Sequence, residues 1–296
     1  MRIKTSALSF FAVFTLASAA WKLHAAPRTA TPRRATTQPY VVQPSDILSA
    51  RGGNIRITPI FHGTVQIEHR GKVIIVDPFS PGRYTKKADL VLITHGHPDH
   101  LDRDAILRVS TPRTVVVMPT LVSGQFSPWP NVVPMNNGDA YNAKRPIATD
   151  HVQSNIPGLA LAAVPMYNLV RGPQPGQKFH PKGAGNGYVL TLGGRRIYVA
   201  GDTEAIPEMK SLRNIDVAFL PLNLPFTMTP QEAARGARSF NPKVVYPYHY
   251  RYPFNQANSN PQQFRAALQG SGIQVRLRNW YPQDAVQRAT PAASRR

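Results

Sequence analysis

The stretch LVLITHGHPDHLD, residues 90–102, sets three histidines and an aspartate within the six positions 95 to 100, directly after an apolar run. The run itself, ADLVLITH (88–95), is almost continuously apolar, as in a strand buried on both faces. His95, His97, Asp99 and His100 therefore fall on the loop at the strand's C-terminal end. On a loop, residues two apart can face one point, and Gly96 and Pro98 add no bulk between the donors. A solvated turn would use Asn, Ser or Lys; three imidazoles at this spacing favour a transition-metal site.

The competing reading is a histidine-rich tract that binds metal loosely. Such a tract needs no matching donors elsewhere, and this chain has them. Asp202 ends the apolar run RIYVAGD, His249 ends VVYPYH, and His180 in KFHPKGAGNGYVL precedes a glycine-rich approach to a strand. Five histidines and two aspartates are what two metal ions need, with one carboxylate bridging and water in the open positions. The sequence holds no cysteine, which excludes disulfides and thiolate ligands.

Around these residues the pattern is that of a layered α/β fold. NIRITPIF and TVQIEHRGKVIIVDP alternate apolar and polar positions across Arg70-Gly71, as paired antiparallel strands do. RDAILRV predicts a helix and RTVVVMP (113–119) another buried strand. Residues 123 to 155, rich in Pro, Asn and Gly, carry no clear period. Strand signals resume at GLALAAVP (158–165), GYVLTL (187–192), RRIYVAGD (195–202) and IDVAFLP (215–221). Thr229-Pro230 and Asn260-Pro261 supply N-caps with proline at the first helical position, ahead of QEAARGARSF and QQFRAALQG. Between them PKVVYPYHY predicts a strand, and IQVRLRNW closes the sheet. Strands first and strand–helix alternation later, in both halves, point to stacked layers.

The two ends read differently. Residues 1–25 have Arg2 and Lys4, then an apolar stretch from Ala7 to Trp21 and small residues, which is the layout of a secretory signal peptide. Cleavage after Ala19 or Ala25 fits, and a periplasmic or secreted location is the expectation. Residues 26–53 read as a Pro/Thr/Arg-rich linker, 54–282 as the folded domain and 283–296 as a basic tail. The net charge of +20 has no long basic helix or recognition motif behind it, so electrostatic association with an anionic envelope is expected and nucleic-acid binding is not.

The pattern H-x-H-x-D-H at 95–100, the strand-ending GDT at 201–203 and the later P-x-H-Y at 247–250 resemble the metallo-β-lactamase superfamily. More narrowly, FHGTVQIEHRGKVIIVDPF, AVPMYNL, FHPKGAGNGYVL, RIYVAGDTEAIPEM and DVAFLPL resemble the metal-dependent hydrolases grouped with ascorbate-6-phosphate lactonase and the acylethanolamine-releasing phospholipase D. The resemblance covers residues 54 to 250 and implies a four-layer αβ/βα sandwich, two mixed sheets flanked by helices. It implies that His95, His97 and His180 hold a first metal, Asp99, His100 and His249 a second, and that Asp202 bridges. His62 and Asp77 match recurring positions of the group's first hairpin; Asp77 is expected to orient the metal loop by hydrogen bonds and not to bind metal, and His62 to be a structural hydrogen-bonder near the site, with a ligand role as the alternative. His180 departs from the commoner superfamily pattern, whose third-motif histidine falls where this chain has Tyr167 and Asn168; His151 is the other candidate.

Two zinc ions are the implied cofactors, with manganese or iron as alternatives for such a donor set. A metal-bridging hydroxide aligned by Asp99 would then attack an ester, lactone or phosphodiester bond in a small-molecule or lipid-like substrate. Two other readings share the residues: a nuclease of the same fold, and a noncatalytic envelope metal-binding protein.

Overall fold

Alternation decides how the chain layers. In the computed structural model, which describes residues 43–126, 129–149, 153, 154 and 156–290, the strand Lys72–Val76 sends Ile74 and Val76 to one face and Val73 and Ile75 to the other. Ile74 and Val76 join the core that runs between two sheets, while Val73 and Ile75 join a second core under helices on the outer face. The period of two thus builds two apolar interfaces from one sheet.

Among the described residues, fourteen strands form two seven-stranded mixed sheets. The first runs in order β1 (Asp46–Leu48), β2 (Ile55–Phe61), β3 (Thr64–His69), β4 (Lys72–Val76), β5 (Leu90–Leu92), β6 (Val115–Pro119) and β7 (Val132–Met135). The second holds β8 (Ala140–Tyr141), β9 (Ala160–Met166), β10 (Gly185–Leu192), β11 (Arg195–Val199), β12 (Val217–Pro221), β13 (Val244–Tyr248) and β14 (Gln274–Val275), also in sequence order. In each sheet the first four strands pair antiparallel and the last four parallel. The parallel strands are the ones with both faces covered, and β5, β6, β12 and β13 are buried at every position.

Helices α1 (Arg103–Val109) and α2 (Thr120–Ser123) cover the first sheet, with Ile106, Val109 and Val122 against Val91, Ile93 and Val116. On the second sheet lie α3 (Pro207–Lys210), α4 (Pro230–Phe240) and α5 (Pro261–Ala267), which contribute Met209, Ala233, Ala237, Phe240 and Phe264 to the main core. The order of layers is helix, sheet, sheet, helix, an αβ/βα sandwich. Thr229 caps α4 through a full capping box with Glu232, and Asn260 caps α5 by accepting from the Gln262 N–H.

The ordered fold reaches past both expected boundaries. Asp46–Leu48, inside the expected linker, is an edge strand paired with β2. Its anchor is nonlocal: the Asp46 carboxylate accepts from Arg278 and from the Tyr246 hydroxyl (2.7 Å). The expected basic tail begins with a helix, α6 (Gln283–Ala289), whose Ala285 is buried. Asp284 pairs with Arg83 at 3.0 Å, and Arg288 donates to the carbonyl of Pro81 at 2.6 Å, which docks α6 on the first sheet's loops. Neither anchor shows in local composition. The Pro-rich middle supplies β7 and β8, one edge strand of each sheet. The expected signal peptide, residues 1–25, lies outside the described residues, as does His151.

Candidate metal centre

Three strand ends of the two sheets and one connecting segment converge. The loop after β5 carries His95, His97, Asp99 and His100; Asp202 follows β11 and His249 follows β13 directly. His180 lies in the segment between β9 and β10. Hydrogen bonds join the two sheets here: Asn186 N donates to the Thr94 carbonyl at 2.8 Å, and the Tyr188 side-chain hydroxyl to the Ile93 carbonyl at 2.7 Å.

All seven sequence-predicted residues come together. Donor atoms of His95, His97 and His180 lie within 4.8 Å of one another, as do those of His95, His100 and Asp202, and those of His62, Asp99 and His249. Asp202 faces both sides. Its Oδ2 is 3.6 Å from His180 Nε2, and its Oδ1 is 3.7 and 3.6 Å from His100 Nε2 and His249 Nε2. His97 is exposed and Asp99 half-buried, so these two form the solvent side; the other five are buried.

The surroundings decide which nitrogen of each ring is free. His100 donates from Nδ1 to Asp77 Oδ2 at 2.7 Å, leaving the Nε2 lone pair toward Asp99, Asp202 and His249. Thr94 donates its hydroxyl to the same Asp77 oxygen at 2.7 Å and accepts from His95 Nδ1 at 3.0 Å, so His95 also presents Nε2. Asp77 takes a third donor, Thr94 N, at 2.7 Å. Burying a carboxylate costs several kcal/mol unless such donors satisfy it, and Asp77, fully buried, is met on both oxygens. Asn168 Oδ1 accepts from both His180 N (2.8 Å) and His180 Nδ1 (2.9 Å). Its amide nitrogen meanwhile donates to the Phe226 carbonyl at 2.8 Å, which fixes the amide's orientation. His180 Nε2 is left free and points at Asp202.

Electrostatics ask for positive charge between the carboxylates. Burial resists a charge on His100, but Asp99, Asp202 and Asp77 outweigh it and push its pKa up to about 10. Burial would also raise Asp99 and Asp202, yet the surrounding histidines hold Asp99 well below the carboxylate range and lower Asp202 too. His180 is driven down to about 4 by burial, against the pull of Asp202, and His95 falls well below the usual imidazole value for want of solvent beside three other histidines. The neutral rings of His95 and His180 beside the ionised carboxylates of Asp99 and Asp202 are the donor chemistry of a divalent cation, whose charge would replace the proton that the carboxylates hold on His100. His180 Nε2 and Asp202 Oδ1 are buried without a hydrogen-bond partner, and His100 Nε2 and His249 Nε2 stand 2.9 Å apart. The residues fit the binding of metal.

Backbone shape contributes. His62, Asp77 and His249 all have positive φ (56°, 45° and 51°), which costs a non-glycine residue about 1–2 kcal/mol each. Each sits just past a strand, where the reversal turns the side chain back over the sheet ends. Main-chain bonds hold the turns: Asp77 N to the Leu92 carbonyl (2.9 Å), His62 N to that of Trp280 (3.0 Å) and His249 N to that of His62 (3.3 Å).

Thr94, the orienting role of Asn168, and Tyr281 were not found from sequence. Asn168 had a signal: it stands where the resemblance expects a histidine, and the structure brings that strand end against His180. Tyr281, whose hydroxyl lies 2.9 Å from His62 Nδ1, had none.

With the geometry in hand, the comparisons agree on one family. A model of the beta-lactamase superfamily domain matches residues 56–249. The chain belongs to the metallo-β-lactamase superfamily and is a metal-dependent hydrolase of it. A metal-dependent hydrolase of Geobacillus thermodenitrificans is 32% identical over 219 residues, covering 70% of this chain and 90% of its own. A crystal structure from Parabacteroides distasonis, assigned as a metal-dependent hydrolase, is 38% identical with a TM-score of 0.68, over 80% of this chain and 98% of the other. The metallo hydrolase Igni18 of Ignicoccus hospitalis shares the fold at 23% identity and a TM-score of 0.60, over 75% and 94% of the two chains.

Proposed function

We propose that this hydrolase is dinuclear and zinc-dependent and cleaves an ester, lactone or phosphodiester bond. One observation carries the reading: the two oxygens of Asp202 address different clusters, Oδ2 toward His180 and Oδ1 toward His100 and His249. A carboxylate so placed would serve both donor clusters. His95, His97 and His180 would hold one ion, and Asp99, His100 and His249 the other. When bound, such a pair supplies Lewis acidity and lowers the pKa of a shared water to near neutrality.

The chain's residues set the rest. Asp99, half-buried on the solvent side and held ionised by the histidines around it, is the carboxylate that meets both the buried centre and an incoming substrate, and it aligns the attacking water by accepting its hydrogen bond. Asp77, Thr94 and Asn168 keep the ring nitrogens of His100, His95 and His180 aimed inward, so the donors are organised before substrate arrives. The leader-like N-terminus supports a periplasmic or secreted site of action.

Metal content by mass spectrometry, beside turnover of an ester, lactone and phosphodiester panel, tests the reading. About two equivalents of zinc per chain, with turnover lost on chelation and restored by zinc, are expected. One equivalent or none in active protein would overturn the dinuclear reading, and bound metal with no turnover would favour the noncatalytic one.

A further inference from the structure

His62 poses a question the seven donors leave open. It is fully buried, and its donor atom lies within 4.8 Å of those of Asp99 and His249, close enough to be an eighth ligand. Its ring centroid is 3.7 Å from that of His249. Whether it can ligate depends on which nitrogen carries its proton.

Hydrogen-bond counting at Tyr281 answers this. The Tyr281 hydroxyl oxygen accepts two main-chain N–H groups, from Tyr250 (2.9 Å) and Arg251 (3.0 Å). A phenol oxygen has two lone pairs and one proton. Both lone pairs are taken by donors that have nothing else to give, so the proton is what faces His62 Nδ1 at 2.9 Å. His62 Nδ1 therefore accepts. In the neutral ring Nε2 then carries the hydrogen, and it lies 3.0 Å from Asp99 Oδ2. A protonated nitrogen has no lone pair for a metal.

We infer that His62 is a positioning residue that donates to Asp99, and that Tyr281 fixes it in that tautomer from a C-terminal segment outside the matched domain. The adjacent Trp280 reinforces the arrangement, since its carbonyl accepts the His62 main-chain N–H at 3.0 Å. Two neighbouring residues thus hold both the backbone and the ring of His62. Tyr281 is buried and the Arg251 guanidinium stacks on it, 5.0 Å from the ring centroid, so the clamp is shielded from water. The Asp99 oxygen that His62 engages is also the one nearest His249 and His100, at 3.5 and 3.7 Å. Pinning Oδ2 sets how this carboxylate meets the second locus. The role assigned to Asp99 rests on the proposed dinuclear reading; the tautomer of His62 does not.

The test separates the two. Long-range 15N–1H spectra of the full chain, labelled at histidine, report the His62 tautomer with and without zinc. An unprotonated Nδ1 and a protonated Nε2 are expected in both states, with the Nδ1 signal displaced in Tyr281→Phe. A protonated Nδ1, or a metal-bound nitrogen, overturns the inference. Zinc titrations of His62→Leu, His62→Gln and Tyr281→Phe supply the second readout. His62→Leu and Tyr281→Phe should bind zinc about tenfold to a hundredfold more weakly at unchanged stoichiometry. His62→Gln, which keeps an N–H donor at that reach, should recover most of the loss. Loss of one zinc equivalent in both His62 variants would make His62 a ligand and overturn the inference. A wild-type chain that binds no zinc would sink the dinuclear reading while the tautomer result stood.

Discussion

His249 and His180 close the same centre from opposite sides, and the chain secures them by different means. His249 follows directly on β13, a strand buried at every position and paired on both sides, so sheet register places it. Its main-chain N–H is bonded to the His62 carbonyl, and no side chain is needed to bring it in. His180 lies well away from either neighbouring strand, in the segment between Met166 and Gly185. One side chain, Asn168, takes both its main-chain N–H and its ring N–H, and the Asn168 N–H returns a bond to the His180 carbonyl at 2.9 Å. A donor on a strand end inherits the rigidity of the sheet; a donor on a loop needs a dedicated partner.

Substitutions can break or sharpen that contrast. The largest effect is expected at Asp202, which serves both sides. On the proposed dinuclear reading, Asp202→Ala should remove both metals and lower hydrolysis by about a thousandfold or more, and an Asp202→Ala protein that keeps the wild-type metal content by mass spectrometry would show that neither side depends on this carboxylate. Next comes Asn168→Ala. It should weaken metal binding about tenfold to a hundredfold on the His180 side alone, seen in a titration as one weak and one unchanged site. Equal weakening of both sites would erase the distinction between loop and strand end.

Two glycines probe how tightly each side is packed. A Cβ at Gly63 would stand 3.0 Å from His100 Cε1 and 3.2 Å from His249 Cδ2, while one at Gly185 would stand 3.0 Å from both His95 Cβ and the Thr94 carbonyl oxygen. Either alanine should cost about 1–3 kcal/mol of stability through overpacking, read by chemical denaturation. Gly63→Ala should disturb the second locus in a zinc titration and Gly185→Ala the first; the reverse assignment would mean the loci are not divided as proposed.

The smallest effect is expected far from the centre, at the clamp that ties β1 to the C-terminal segment. Burial would raise the Asp46 carboxyl, but its bonds to Arg278 and Tyr246 and the charges of Arg278 and Arg276 lower it. A lowered folded-state pKa adds stability above the unfolded carboxyl value of 3.8, and that stability is lost as the pH falls through the folded value. Asp46→Asn should therefore cost about 1 kcal/mol at neutral pH, after discounting for partial exposure, and nothing once the wild-type carboxyl is itself protonated. A difference that persisted in acid would assign the clamp to packing instead of charge.

Much of this was legible beforehand, for identifiable reasons. Buried strands such as Val115–Pro119 and Val217–Pro221 announce themselves as apolar runs because both faces are covered. The caps of α4 and α5 show as Thr-Pro and Asn-Pro because the first turn of a helix demands those groups. Three of the four edges did not show. β1, β7 and β8 are short, part-exposed and carry no sustained alternation, so nothing local separates them from loops, whereas β14 falls within IQVRLRNW, the stretch read as closing the sheet.

The same division runs through the centre. His95, His97, Asp99 and His100 were readable because a metal loop after a buried strand concentrates its donors in one stretch, and Asp202 and His249 because each ends such a strand. These are local facts, dictated by residue type and spacing. Which nitrogen the rings of His100, His180 and His62 present is not local. It depends on Asp77 against His100, Asn168 against His180, and Tyr281 against His62 from 219 residues away. An imidazole's tautomer is set by whatever lies within about 3 Å of its second nitrogen, and only the tertiary structure brings those neighbours into reach.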